Sequence, residues 1–468
     1  MTKRITRIES ITIENFKNVT QGTLDFENKR KEYKASVLGL YGQNGSGKTA
    51  LIDSIQLLKY ALNGTPIPRK YADYINVDAD DATLKYEFIV RYEEVVYNVW
   101  YQFSMRKVID ETIVSIEEAP NTNDKTKVEM FDEVLSFSYE SKVDKMRKAA
   151  LIDTRTDELF GPKAKVQELI GDNKEKYMDL LVTKRLTKAT SRSFIFSREL
   201  INQYRTNCKS EIYMKLIEGL YTYGHRELFI VDTESIGLIS LNTLPLTFKY
   251  KHGGSETYGS LPLSLNGPAF IPEDMYDVVE NVIENMNIVL EQLVPGLRIG
   301  VVDLGSAMTK EGKIAKQIQL MSLKNNKQIP FCYESEGIKK IVSVLQLLIV
   351  VYNNPSVTVA IDELDGGVFE YLLGELLNII SEKGKGQLVF TSHNLRPLET
   401  IDKGFIAFTT TNPKMRYIRL TNVKGTNNLR DFYYRDIVLG EQSEQVYNPT
   451  NNFEIALAFR EAGEAFGS

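Results

Sequence analysis

Gly42-Gln-Asn-Gly-Ser-Gly-Lys-Thr49 decides the fold, because of what flanks it. It follows the apolar, strand-like run 36–41. It opens a stretch whose apolar residues recur at helical spacing, at Leu51, Ile52, Ile55, Leu58 and Leu62. Glycines at 42, 45 and 47, with Gln43, Asn44 and Ser46 between them, let the backbone approach an anion closely and turn its N–H groups toward it. Lys48 is placed to reach the β- and γ-phosphates, and the Thr49 hydroxyl to ligate Mg²⁺. The bland alternative, a glycine-rich turn with a solvated lysine, leaves the strand, spacing and helix unexplained. The expected ligand is a nucleoside triphosphate.

A phosphate loop needs carboxylates, and residues 357–363 supply them. Val357-Thr-Val-Ala-Ile is the short β-branched run of a central parallel strand, and Asp362 and Glu363 stand at its C-terminal end. Asp362 would hold Mg²⁺, and Glu363 would orient or deprotonate the attacking water. A second apolar run, 388–392, ends in His393, read as a γ-phosphate sensor rather than a capping histidine. Ser335 sits at the N-cap of a helix (338–351) that is apolar nearly all round and so expected to be buried. With Gly337 allowing close approach, that N-terminus is a second anion site, suited to ATP held by another subunit.

The chain of 468 residues has room for two or three core-forming units. Its net charge of −5 argues against a strong general affinity for nucleic acid, although a local basic groove stays open. The patch Lys184, Arg185, Lys188, Arg192 and Arg198 reads first as a solvated helical face. Cys208 and Cys332 are too few for a disulfide framework, and His225, His252 and His393 too scattered for a histidine-rich metal site. No cleavable signal follows the basic start, and the longest apolar run, 341–352, is too short to span a bilayer. A cytoplasmic protein without membrane association is expected.

Strands are read at 5–13, at 24–26 and over 83–116, the last group as an antiparallel sheet beside the nucleotide. A helix is read over 272–293 with a heptad-like seam at Met275, Val279, Val282, Met286, Val289 and Leu293, packing inside the protein. Strands at 297–304 and 314–323 follow. Asp78-Ala-Asp80 reads as a turn rather than a metal site.

In order, Ile-Thr-Ile-Glu-Asn-Phe-Lys, the glycine loop, Ser-Glu-Gly, Ile-Asp-Glu-Leu-Asp and Thr-Ser-His-Asn resemble the ABC-type ATPase head of the SMC, RecF and OLD proteins. Within that group the chain is most similar to the stand-alone ATP-binding proteins of bacterial anti-phage systems, the ATPase components of AbiL, PARIS and Septu. The resemblance covers residues 1–62 and 330–425. It implies an α/β P-loop ATPase head, with a mixed parallel sheet and an antiparallel sheet, that dimerises around ATP and Mg²⁺. Ser335 and Gly337 would then close over the opposite subunit's ATP, and Asp365 would lie in the dimer-interface loop. The signature departs from the family in lacking its second glycine and glutamine.

The expected organisation is an N-terminal lobe (1–120), an inserted, mostly helical arm or lid (121–265), a C-terminal lobe (266–425) and a helical tail (426–468). Three functions compete. One is a slow ATPase switch gating a separate effector, a nuclease or toxin, in anti-phage defence. Another is a RecF- or SMC-like DNA-maintenance factor. A self-contained OLD-type nuclease is disfavoured, since the residues after His393 hold no Asp-x-Asp pair.

Overall fold

A computed structural model describes residues 4–26, 36–110, 125–141, 144–252, 255–308, 312, 314–325, 327–421, 428–440 and 442–465. The chain begins with β1 (Arg4–Phe16), β2 (Val19–Asp25), β3 (Ser36–Tyr41) and α1 (Lys48–Asn63), then β4 (Asp81–Tyr92), β5 (Val95–Ile109), β6 (Thr126–Glu140) and β7 (Lys145–Asp153). Helices α2 (Lys163–Ile170), α3 (Lys174–Ala189), α4 (Arg198–Asn207) and α5 (Glu211–Arg226) follow, leading to β8 (Leu228–Val231) and α6 (Thr233–Ser240). Next come β9 (Thr243–His252), β10 (Ser255–Ser264), β11 (Ala269–Pro272), α7 (Tyr276–Leu293), β12 (Leu297–Met308), β13 (Ile314–Lys324) and β14 (Lys327–Pro330). The last section holds α8 (Glu336–Asn353), β15 (Thr358–Ile361), α9 (Glu370–Lys383), β16 (Gln387–Thr391), α10 (Pro397–Thr400), β17 (Ile406–Thr409), β18 (Tyr417–Ile418), α11 (Leu429–Leu439) and α12 (Asn452–Ala465).

The central sheet runs β18-β17-β3-β16-β15-β8, parallel except at β18. Its strands are buried on both faces, which is why they read as unbroken apolar runs. Side chains still alternate with the period of two that a strand imposes. Leu38, Leu40, Ala360 and Val389 face the core shared with α1 and the antiparallel sheet. Val37, Tyr41, Val359, Ile361, Leu388 and Phe390 face the core shared with α8, α9 and α11.

A second sheet, β2-β1-β4-β5-β6-β7, is antiparallel, and β4 shows the cleanest alternation, burying Leu84, Tyr86, Phe88 and Val90. Tyr86 Oη donates to the Ser54 carbonyl at 2.7 Å, tying this sheet to α1. A third core joins the β9–β10 hairpin, β11–β13 and α7 to one side of α8 through Ile341, Val342 and Leu345. Val344, Leu347 and Leu348 on its other side belong to the central core. Helix α8 is apolar nearly all round because it divides two cores.

The mixed α/β architecture agrees with expectation, as do α7, β12 and β13. Segment 121–265 does not read as expected: it is helical mainly between 163 and 226. Strands β6 and β7 extend the antiparallel sheet, β8 is an edge of the central sheet, and β9 and β10 form a hairpin. Those helices also pack into the main core through Leu200, Tyr204, Leu216, Leu220 and Tyr223, and do not stand apart as an arm. The strands expected over 83–116 are β4 and β5 as far as 109, and residues 111–116 lie outside the described residues. No helix among the described residues is long and apolar enough to cross a membrane.

Candidate functional site

The loop 42–49 leaves the C-terminal end of β3 and enters α1, whose N-terminus has no side-chain cap and no acidic residue in its first turn. Its leading N–H groups are therefore available to an anion. Gly42 has φ of 151°, and a Cβ there would lie 1.8 Å from Thr409 Oγ1. No other residue fits. Lys48 Nζ donates to the carbonyls of Gly42 at 2.8 Å and Gln43 at 3.0 Å, holding the loop in a closed ring. Burial lowers the pKa of this ammonium, opposed by the nearby Asp362, Glu363 and Asp365 carboxylates.

Thr409, Tyr417, Asn18 and Asn448, none of which carried an expected role, help hold this loop. Ser46 Oγ donates to the Gln43 carbonyl at 2.6 Å and contacts Thr409 Oγ1. Tyr417 Oη donates to the Gly47 carbonyl at 2.9 Å, and Asn18 Nδ2 to the Gly45 carbonyl. Gln43 Oε1 accepts from the Asn448 backbone N–H at 2.8 Å, so the C-terminal segment touches the loop. Lys17, the last residue of the quoted Ile-Thr-Ile-Glu-Asn-Phe-Lys motif, forms an ion pair with Asp53 and lies 4.0 Å from the centroid of the Tyr74 ring.

A cavity of about 310 Å³ opens on the loop, lined by Lys17, Asn44, Lys48, Thr49, Asp362, Glu363 and His393 among others. The central sheet brings these groups together: β16 lies between β3 and β15, so strand ends far apart in sequence stand side by side. Asp362 is buried, and its carboxylate accepts from Thr391 Oγ1 and, at 3.1 Å, from Thr233 Oγ1. Thr391 Oγ1 also accepts the Glu363 N–H at 2.8 Å. That bond holds Glu363 at φ of 45°, a left-handed conformation that a non-glycine residue adopts at a cost. Neither threonine carried a role in the sequence reading, although Thr391 sits inside the quoted Thr-Ser-His-Asn.

Asp365 turns inward. Its Oδ2 accepts the backbone N–H groups of His393 at 3.1 Å and Asn394 at 2.9 Å, fixing the loop that presents the His393 side chain. Ser335 caps α8 as expected, accepting from the Ile338 N–H at 3.3 Å. A Cβ on Gly337 would lie 2.1 Å from the Gly367 carbonyl oxygen, so α8 presses directly on the loop that follows the carboxylates. Ser335, Gly337 and Asp365 do not line the cavity. Lys340, on the same helix, is buried with no hydrogen-bond partner for Nζ. Burial lowers its pKa to about 8, against the pull of Asp365, Glu363 and Asp362.

A larger cavity, of about 560 Å³, lies away from the loop, lined by Arg106, Asp132, Arg155, Lys184, Lys188 and Arg192 among others. Its cations are largely committed: Lys184 Nζ donates to the carbonyls of Thr154, Thr156 and Glu158, Lys188 and Arg106 share Glu129, and Arg155 pairs with Asp153. Arg185, Arg192 and Arg198 are exposed.

Residues 10–220 match a family described as AAA domain, which covers the loop but under half of the chain. No curated protein gives a significant match. Among solved structures, the SMC head bound to the C-winged helix domain of ScpA aligns at 13% identity over 89% of this chain and 98% of that one, with a TM-score of 0.41. The SMC head domain from Thermotoga maritima aligns at 14% identity over 88% and 99%, with a TM-score of 0.35. RecF with ATP, from the RecFOR pathway, aligns at 12% identity over 83% and 94%, with a TM-score of 0.33. Scores below 0.5 decide nothing about function; the site rests on its own geometry.

Proposed function

We propose that this chain binds and hydrolyses ATP, dimerises around it, and uses the closed state to switch a separate effector. One observation carries the enzymatic half: a formed phosphate loop shares a single cavity with Asp362, Glu363 and His393. The donor set fits Mg²⁺. Thr49 and Asp362 are hard oxygen ligands on one cavity. When bound, the ion would neutralise phosphate charge. Lys48 would bind the β- and γ-phosphates, Glu363 would orient and deprotonate water, and His393 would donate a hydrogen bond where charge develops.

The dimer half of the proposal is supported by position: Ser335 and Gly337, at the N-terminus of α8, do not line their own chain's cavity. A two-fold partner would bring each over the other's ATP. The anti-phage setting and the effector, a nuclease or toxin, rest on the resemblance to AbiL, PARIS and Septu ATPase components. A DNA-maintenance role of RecF or SMC type is the second reading, favoured by the exposed Arg185, Arg192 and Arg198, of which Arg192 lines the larger cavity.

The test is to purify Glu363→Gln protein from its native host with ATP and Mg²⁺, with and without nuclease. The variant is expected to bind ATP, cease turnover and stay dimeric, bringing down a stoichiometric second protein. Normal turnover would remove Glu363 as the base. Nucleic acid alone, lost on nuclease treatment, would replace the effector reading with the DNA reading.

A further inference from the structure

Two buried polar atoms close to the candidate carboxylates have no hydrogen-bond partner: Lys340 Nζ and Asp365 Oδ1. Three elements that build the site meet around them. Tyr41 ends β3, immediately before the phosphate loop, and its hydroxyl lies beside Ser392 and Asp365. Asp365 belongs to the loop after β15, and Lys340 to the second turn of α8. An isolated buried ammonium costs several kcal/mol, on the order of a broken buried ion pair, unless charge of opposite sign offsets it. The charges acting on Lys340 are Asp365, Glu363 and Asp362, with Asp365 the strongest. Lys339, its neighbour, is by contrast satisfied by Asn242 Oδ1 at 3.0 Å.

Asp365 is half used. Oδ2 accepts the N–H groups of His393 and Asn394, while Oδ1 is buried and free to accept. Donor and acceptor thus stand unpaired on two elements already in contact at Gly337 and Gly367. We propose that Lys340 is a positioning residue: in the closed, ATP-bound dimer it pairs with Asp365 Oδ1, fixing the Asp365–His393 link to the helix that begins at Ser335. This rests on the ATPase reading above and adds to it a link within one subunit, from the surface that meets the partner's ATP to the groups that cut its own.

The test compares wild type, Lys340→Met, Asp365→Asn and the double variant as full-length proteins, by phosphate release, fluorescent-ATP affinity and thermal melting. Met keeps the apolar stem, so a packing role alone would survive it. Lys340→Met is expected to bind nucleotide within about twofold of wild type and to melt no lower. Its kcat should fall about tenfold or more, the scale of a misplaced catalytic group. Asp365→Asn should lose a similar factor, and the double variant should be no slower than the slower single, because the pair acts as one unit. A Lys340→Met kcat within twofold of wild type, or losses that multiply in the double variant, would overturn the pairing. If Lys340→Met does not fold, Lys340→Gln takes its place in the same cycle. Wild type without hydrolysis would defeat the ATPase reading itself, whereas an active wild type with an equally active Lys340→Met defeats the pairing alone.

Discussion

Replacing Thr391 by valine keeps the shape of the side chain and deletes one hydroxyl. That hydroxyl donates to Asp362 Oδ1 and accepts the Glu363 N–H at 2.8 Å. A hydrogen bond to a charged group contributes about 1.5–3 kcal/mol, and orphaning a buried N–H costs about 1–3 kcal/mol. Glu363 would also lose the bond that holds its φ of 45°, and the strain of that conformation, about 1–3 kcal/mol, would be free to relax. Relaxation moves the carboxylate that is to orient water, while loop 42–49 is untouched. If about 3 kcal/mol of the loss falls on the reacting geometry, phosphate release slows on the order of 10²-fold. ATP affinity should stay within about threefold, and half-saturating Mg²⁺ should rise, because Asp362 loses one of its two hydroxyl donors. Thr391→Ser keeps the hydroxyl and should restore most of the rate. The assays are coupled phosphate release across a Mg²⁺ titration and fluorescent-nucleotide binding. Thr391→Val protein turning over at the wild-type rate with the wild-type Mg²⁺ requirement would refute the assignment of Thr391 as the group that sets both carboxylates.

Lys48→Ala should lower ATP affinity by about 100-fold or more, since the ammonium both closes the loop and meets phosphate; undiminished affinity in a binding titration would remove the phosphate-loop assignment. Ser335→Arg should leave ATP binding to the monomer intact and block closure, seen as loss of the ATP-dependent dimer by light scattering. Mixing it with Lys48→Ala protein should restore one competent site per dimer, and a mixture without activity would leave action across the subunits unsupported. Burial lowers the Lys59 pKa to about 8 from an unfolded value near 10.4, so from pH 8 to 10 the unfolded chain binds the extra proton and stability rises with pH. Lys59→Met should flatten that rise by about 1–3 kcal/mol in denaturant titrations at pH 8 and pH 10, and an unchanged slope would contradict the burial argument.

The phosphate loop and the acidic strand were legible because each is a local pattern: glycines at fixed offsets, then apolar runs ending in charged residues. Segment 126–153 was not, for reasons visible in its residues. The alternation of β6 breaks at Asp132, which takes φ of 52°, and the buried Glu133 reads as a surface charge until Tyr101, Ser193 and the Phe194 N–H are seen to satisfy it. Strand β7 is an edge rich in lysine and arginine, the composition that protects edges and hides strands. Four residues of β8 between two helices offer too short a period to read. Thr233 and Thr391 were invisible as partners of Asp362 because hydroxyls acquire that role only when the sheet order sets the end of β16 and the start of α6, just after β8, beside the end of β15.

The same sheet order explains why the N-terminus of α8 bears on the chemistry. The helix is gripped on two sides, by the central core through Val344 and Leu348 and by the third core through Ile341 and Leu345. Close-packed interiors transmit displacement rather than absorb it. At Gly337 there is no side chain to act as a cushion, and the next atoms belong to the Gly367 backbone. Four residues back from Gly367 stands Glu363, whose own N–H is bound to Thr391. A push or pull on the exposed Ser335 therefore reaches the carboxylates through the short loop 363–367. Glycine at 337 lets the helix touch the loop behind it.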